Sequence, residues 1–366
     1  MNRTLVGLTR HRAQPDRPDG AAAFVDVAAA DRARKLVILA VAGCGLVAVF
    51  LIAVTVGAYR IPLTDVARVA ASRFGLGGGG SDVQETVVVD IRLTRIVLAV
   101  VVGAALSTSG AVYQGVFRNP LVEPYILGVS SGAAFGAGLS VMFDVPGSLQ
   151  VLAFTFGLLA VVLTYRLARV RGQLPTVTLV LAGVIIGSLF SALFSIFQYL
   201  GSNEQLRRLV FWILGGLHRA TWDEVRWVAP VVLFGVLLIW RWAWSLNVLT
   251  LGDDEAAALG VPVERTRRVL IALATAVTAL VVSLSGIIAW VGLMVPHAAR
   301  MIIGPDHRYL IPLSAMLGAA FVIVCDTVAR TLTTGEVPIG IVTSILGAPY
   351  LIYLLRTRLV AVSGAV

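Results

Sequence analysis

Hydrophobic residues in this chain gather into long runs, apolar on every side and separated by short polar breaks. At about 1.5 Å of rise per residue, roughly 20 residues of helix cross a hydrocarbon core of about 30 Å. Nine runs meet that measure: Leu36–Val56, Ile96–Phe117, Ile126–Phe143, Leu149–Leu167, Val177–Leu200, Val225–Trp244, Val269–Ile288, Ile311–Ala329 and Ile339–Leu355. A tenth, Val291–Ile303, is shorter and is broken by Pro296, so it reads as a short or partly buried helix. The pattern predicts nine or ten helices.

The polar parts frame these runs. Residues 1–35 read as a mostly disordered cytoplasmic tail with a short helix near Phe24–Lys35, residues 36–358 as the transmembrane domain, and residues 359–366 as a second tail. Arg32, Arg34 and Lys35 precede the first run and no small-residue cleavage site follows it. It is expected to be a retained helix entered from inside, not a signal peptide. Residues 59–93 form an outside segment. Its Gly77–Gly80 run lacks the Lys-Ser/Thr of a phosphate loop and reads as a flexible connector. With ten helices and an inner N-terminus, inner loops hold fifteen Lys and Arg against ten outside, a modest positive-inside bias. Ser109-Gly110 precedes Pro120 by the interval at which Ser285-Gly286 precedes Pro296, in segments of opposite direction. That match suggests an inverted repeat of two five-helix halves.

Composition agrees. The chain of 366 residues is 58% hydrophobic and 13% charged, with a mean hydropathy of +0.90. Soluble domains carry about 25% charged residues, so the class is an all-α polytopic membrane protein. The net charge of +9 sits at segment ends, which excludes a nucleic-acid-binding protein. Cys44 and Cys325 lie in apolar runs and give no disulfide framework, and the four histidines show no metal-ligand spacing.

Chemistry has few places to sit. Among the spans the ionisable exception is Asp326, with Arg330 one turn later, spaced for an ion pair or, alternatively, a proton relay. The small-residue stretch Gly128–Gly138 suits close helix packing or an opening in a substrate path. No Walker A sequence is present, so if ATP drives this protein it is hydrolysed on another chain. That chain would need a cytoplasmic surface to push on. The polar break 246–268 contains Leu251, Gly252, Asp253, Asp254, Glu255, Ala256, Leu259 and Gly260. Three carboxylates before three alanines predict a short helix, Gly260 stops it, and Pro262 marks the start of a second short helix. Locally the break reads first as a solvated connector. The alternative is a docking knob.

Several motifs, in order, resemble the FecCD-type permease subunits of type II ABC importers for iron–siderophores, haem and vitamin B12, over about residues 36–358. They are Ile91-Arg-Leu-Thr-Arg95, with Thr94 in place of the usual proline; Gln114 with Arg118-Asn-Pro-Leu121, Pro124 and Leu127-Gly-Val-Ser-Ser-Gly132; Leu251–Val261; Gly292-Leu-Met-Val-Pro-His-Ala-Ala-Arg300; Asp306-His-Arg308; Glu336-Val-Pro-Ile-Gly340; and Leu346-Gly-Ala-Pro349. The resemblance implies a second permease subunit, a pair of ATP-binding subunits carrying ATP and Mg, and an extracytoplasmic substrate-binding protein, with no cofactor bound to this chain. It implies a multi-pass protein of the inner, cytoplasmic membrane, without enzymatic activity of its own. It assigns residues 253–260 to ATPase coupling, Arg92, Arg95 and Arg330 to binding-protein docking, and Asn119, Leu121 and Thr176 to the cytoplasmic gate; Gly128, from the small-residue stretch, is the further pathway candidate. Two rival classes are an ion-coupled secondary transporter and a non-transporting receptor or scaffold. The scarcity of intramembrane charge counts against the first, the gate and docking motifs against the second.

Overall fold

The chain enters through α1 (Gly20–Thr55), and two short helices, α2 (Leu63–Arg73) and α3 (Asp82–Glu85), follow at its outer end. A π-helical turn, Thr86–Leu93, feeds α4 (Thr94–Val116), and a 3-10 turn, Pro124–Leu127, precedes α5 (Val129–Met142). Then come α6 (Leu149–Ala168), α7 (Thr176–Leu200), α8 (Asn203–Ile213), α9 (Trp222–Arg241), α10 (Ala243–Leu249) and α11 (Asp253–Ala258). The last four are α12 (Val263–Ser285), α13 (Val291–Ile303), α14 (His307–Ala329) and α15 (Ile339–Ser363). This computed structural model describes residues 20–57, 59, 61–73, 81–169, 175–333 and 335–363, with no strand among them. The Gly77–Gly80 connector and the distal ends of both tails lie outside the described residues.

The ten apolar runs fall on α1, α4, α5, α6, α7, α9, α12, α13, α14 and α15, which establishes the all-α polytopic fold. Five of these (α1, α6, α7, α12 and α14) are long and apolar enough to cross a bilayer alone, and α9 with α10, bent by 51°, makes a sixth. α5, α13 and the start of α15 are shorter apolar helices.

α4 is the axis. It packs against α14, α12, α13 and α9, while α5, α6 and α7 pack on one another beside it. Its sequence is apolar or small all round, the pattern of a helix with no solvent face, and it is buried nearly end to end. Without water, hydrophobic burial does not draw helices together, and close backbone approach does. At Gly110 an added Cβ would lie 1.8 Å from the Gly292 carbonyl oxygen, so α4 and α13 touch backbone to backbone. Pro296 supplies the reason. It lacks the N–H that would bond to the carbonyl four residues back, and that carbonyl is Gly292, turned instead toward Gly110. Polar side chains add further ties: Ser109 Oγ donates to the Ala274 carbonyl at 3.1 Å, and Tyr113 and Thr275 share a 2.6 Å hydroxyl contact.

Several expectations change. Pro296 does not break the tenth run, which is one helix whose freed Gly292 carbonyl lies against Gly110 of α4. The run Ile126–Phe143 is instead divided, since Gly128 takes φ +83°, a left-handed conformation open to glycine, and separates the 3-10 turn from α5. No second short helix follows Pro262; α12 starts at Val263 and continues into the span, and the neighbouring short helix is α10, on the other side of α11. The helix near Phe24–Lys35 is continuous with the first span in α1. The outside segment carries α2 and α3, and α8 lies in a stretch read as a loop.

Candidate functional site

At the inner end, α11 is a six-residue helix held from behind. Asp253 accepts two hydrogen bonds from Arg267 Nη2, at 2.9 and 3.0 Å, and one from Arg118 Nη2 at 3.2 Å. Arg267 is itself buried, on the first turns of α12, and also reaches Glu264 at 3.3 Å. Ala256 is fully buried beneath the helix and Gly252 behind its start. The three carboxylates occupy the first turn, where the helix dipole favours negative charge. Leu251, Asp254, Glu255, Leu259 and Gly260 are left facing out, with Leu251 63% and Leu259 56% exposed. Two bare leucines flanking two carboxylates, on a base clamped by ion pairs, make a rigid projecting knob with apolar and acidic character.

The knob connects to the turn after α4, the segment expected to form the gate, by one side chain. Arg118 ends α4 with a positive φ of 51° and precedes Asn119, whose Oδ1 accepts from the Leu121 backbone N–H at 2.9 Å. Asp253 is thus joined to Arg118, the residue beside Asn119. Beside Asn119 lies a cleft of about 460 Å³ lined by Arg118, Asn119, Thr250 and Arg300 among others. At its edge Asp306 caps α14. Burial alone would raise its carboxyl, but hydrogen bonds from Arg308 and Asn247, with the Arg308 charge, outweigh that and hold it at about 2.

Gly128 and Thr176, the other residues expected along the path, sit elsewhere in the fold. Thr176 is the first residue of α7, half-buried. An added Cβ at Gly128 would come within 3.2 Å of the Gly187 backbone on α7, so Gly128 is where the start of α5 meets that helix. No hydrogen bond joins Thr176 to Asn119 or Leu121 among the described residues. Gly128 and Thr176 thus share α7, while Asn119 and Leu121 belong to the turn after α4.

The outer end is organised differently. Arg95, on the first turn of α4, donates from Nε to Asp326 Oδ1 at 2.7 Å and from Nη1 to both Glu336 oxygens at 2.9 and 2.8 Å. Arg330 lies 3.6 Å from Asp326 Oδ2 and donates to the Ala53 carbonyl. Arg92 donates to the carbonyls of Val54, Thr55 and Tyr59. Asp326 is 1% exposed and the three arginine side chains are buried with it. The structure brings all three predicted docking arginines together, and each already bonds to groups of this chain, though Arg330 Nε and Asp326 Oδ2 are buried without a hydrogen bond. Asp326 and Arg330 pair as their spacing indicates, and Arg95 and Glu336 complete a four-membered network that helix periodicity does not show.

One carboxylate escaped sequence reasoning. Glu123 lies in the motif after Asn119 and reads as a loop charge in water. Its Oε1 instead accepts from the Trp290 backbone N–H at 3.3 Å, at the start of α13. Beside it the Tyr125 hydroxyl donates to the Ile288 carbonyl at 3.0 Å, and Trp290 holds a positive φ of 74°. Residues 123–125 thus fasten the break between α12 and α13. The proline on either side of Val122-Glu123 marks irregular backbone, which in a membrane protein is tolerated where it is buried in protein.

Comparison with known proteins adds the following. The FecCD transport family profile matches residues 45–357. The chain is 40% identical over 361 residues to the cobalamin import system permease protein BtuC of Halobacterium salinarum, covering 89% of this chain and 97% of that one. It is 41% identical over 278 residues to the hemin transport system permease protein HmuU of Yersinia pestis, covering 74% and 83%. A solved structure described as a metal-chelate type ABC transporter in an inward-facing conformation superposes with a TM-score of 0.77 at 34% identity, over 88% of this chain and 99% of that one.

Proposed function

This chain belongs to the FecCD transport family, and from that premise we propose that it is the membrane-spanning subunit of an ATP-driven importer whose cargo is a metal chelate, haem or a corrinoid. A binding protein delivers the cargo to the outer face, a pair of separate ATPase subunits carries ATP and Mg beneath, and a second permease subunit completes the path. The membrane is the inner, cytoplasmic one. Nothing covalent happens on this chain. Its residues transmit force and gate a passage.

The observation that carries this reading is the clamped knob and its link to the gate. An ATPase gripping Leu251, Asp254, Glu255 and Leu259 would move α11 as a rigid piece, because Asp253 and Ala256 tie it to the body. Motion passes along α12 through Arg267 and to the Asn119 turn through Arg118. Closure of the ATPase pair then biases the populations of inward- and outward-open states, which is alternating access. The relatives' names support the cargo class: one imports cobalamin, another hemin. The intramembrane carboxylate that ion coupling would need, Asp326, is held by Arg95 and Arg330, which supports an ATP-driven rather than an ion-driven protein.

The test is charge reversal, D254K with E255K. Both side chains are exposed, so insertion and folding should stay as in wild type, while ATPase co-purification and uptake into proteoliposomes fall at least about tenfold. Wild-type association and uptake in that variant would refute the knob.

A further inference from the structure

The outer face has a second basic feature, separate from the internally bonded Arg92–Arg95–Arg330 group. Between α8 and α9 lies an open basin of about 700 Å³, lined by Glu204, Arg207, Arg208, Phe211, His218 and Arg219 among others. Ligand sites commonly occupy about 300–1,000 Å³. Arg207 and Arg219 are exposed and form no ion pair among the described residues. Arg208 lies 3.5 Å from Asp144, a carboxylate 84% exposed, at a distance and exposure where water screens most of the attraction. Three guanidiniums thus face one lining carboxylate, Glu204. His218 registers the surplus: partial burial lowers its imidazole first, and Arg219 and Arg95 lower it further.

These arginines are also misplaced by the topology rule. Basic residues disfavour the outer side of a cytoplasmic membrane, and this short segment places three there. Arg207 and Arg219 make no hydrogen bond or ion pair among the described residues, which leaves both guanidiniums to the basin. The basin does not end blindly. A second cavity of about 380 Å³ shares Phe211 and His218 with it and runs to Arg95 and to residues Gly335–Ile339. A small third hollow shares the same two residues and reaches Gly286, where α12 ends. Phe211, 42% exposed, offers an aromatic face at the junction.

We infer that this basin is the outer capture site for the cargo and selects a net-anionic chelate, one presenting carboxylate, catecholate or phosphate oxygens. Arginine forks match such planar pairs of oxygens. Phe211 takes the organic part. The inference rests on the importer reading and narrows its cargo. A flat docking patch for an acidic binding protein would not need depth, an aromatic wall or two inward branches.

The test uses the purified full-length chain, assembled with its ATPase in lipid nanodiscs and followed by quenching of tryptophan fluorescence, since Trp212 borders the small hollow. Three ferric probes of similar size are compared: an anionic tris-catecholate, a neutral trihydroxamate and a cationic amine-bearing trihydroxamate. The tris-catecholate should bind at least about tenfold more tightly than the others, and added salt should weaken it. Arg207→Gln with Arg219→Gln should cost it at least about tenfold, and Glu204→Gln, which removes the opposing charge, should tighten it. Equal binding of the neutral probe, or no response to either variant, overturns the inference. So does loss of binding-protein association with tris-catecholate binding intact, which would make the basin a protein-docking surface. Uptake of a neutral or cationic chelate by wild type would sink the anion preference while leaving the importer reading in place.

Discussion

The two ends of the molecule use the same chemistry to opposite effect. At both, arginine and carboxylate meet at under 3 Å: Arg95 with Asp326 outside, Arg267 with Asp253 inside. Outside, the Asp326 network is turned inward and joins α4 to α14 and to the end of α1. Inside, a single carboxylate of the acidic triplet is tied down, and the remaining two stay in water beside two bare leucines. One network closes a seam between helices. The other fixes the base of something meant to be touched. A charged cluster therefore says little about partners until its exposure is known.

The contrast breaks most visibly at Asp326. Asp326→Ala strips Arg95 and Arg330 of a buried partner, and losing one member of such a pair costs about 3–5 kcal/mol. Unfolding in detergent should show that loss; a change under about 1 kcal/mol would mean the outer network is not what holds α4 to α14. Arg267→Ala comes next. The partner it leaves, Asp253, is about half exposed and keeps Arg118, so about 1.5–3 kcal/mol is expected, with reduced uptake. An outcome equal to that of Asp326→Ala would erase the distinction between the two ends. Leu251→Ser with Leu259→Ser should then change stability by no more than about 0.5 kcal/mol, since both side chains are already in water, yet lower ATPase association in a pull-down. The smallest effect is a titration. Asp306 has its carboxyl depressed from 3.8 to about 2, so its contribution is complete above 3.8 and fades as pH falls toward 2. Asp306→Asn should lower stability at neutral pH, flatten the acid limb of the profile within that window, and converge on wild type near pH 2.

How legible was this in the sequence? The spans were, because burial in lipid demands continuous apolar runs and those survive any detail of packing. The knob's helix was legible from three carboxylates before three alanines and from Gly260. Three short or offset starts were also written there as capping boxes, Ser81 with Gln84, Ser202 with Gln205 and Thr221 with Glu224, each with both reciprocal bonds in the structure. The first two would have revealed α3 and α8. What could not be read was long-range pairing. Arg95 with Glu336 and Glu123 with Trp290 join residues more than 160 positions apart, and no local period encodes them. The same holds for Pro296, which looked like a helix breaker because its compensation, the backbone of Gly110, lies on another helix.

The pairing of Arg95 with Asp326 has a consequence for how the protein is made. The two residues are 231 positions apart, and a ribosome delivers the N-terminal one first. For most of synthesis, the guanidinium on the first turn of α4 waits without the carboxylate that pairs with it in the folded chain, and unpaired charge in a membrane helix is penalised. It is discharged only when α14 arrives, near the end of the chain. A nascent or truncated product lacking that helix carries a built-in mark of incompleteness, an orphan cation in its central helix. Membrane quality control has a physical handle on the unfinished molecule before any cargo or nucleotide is involved.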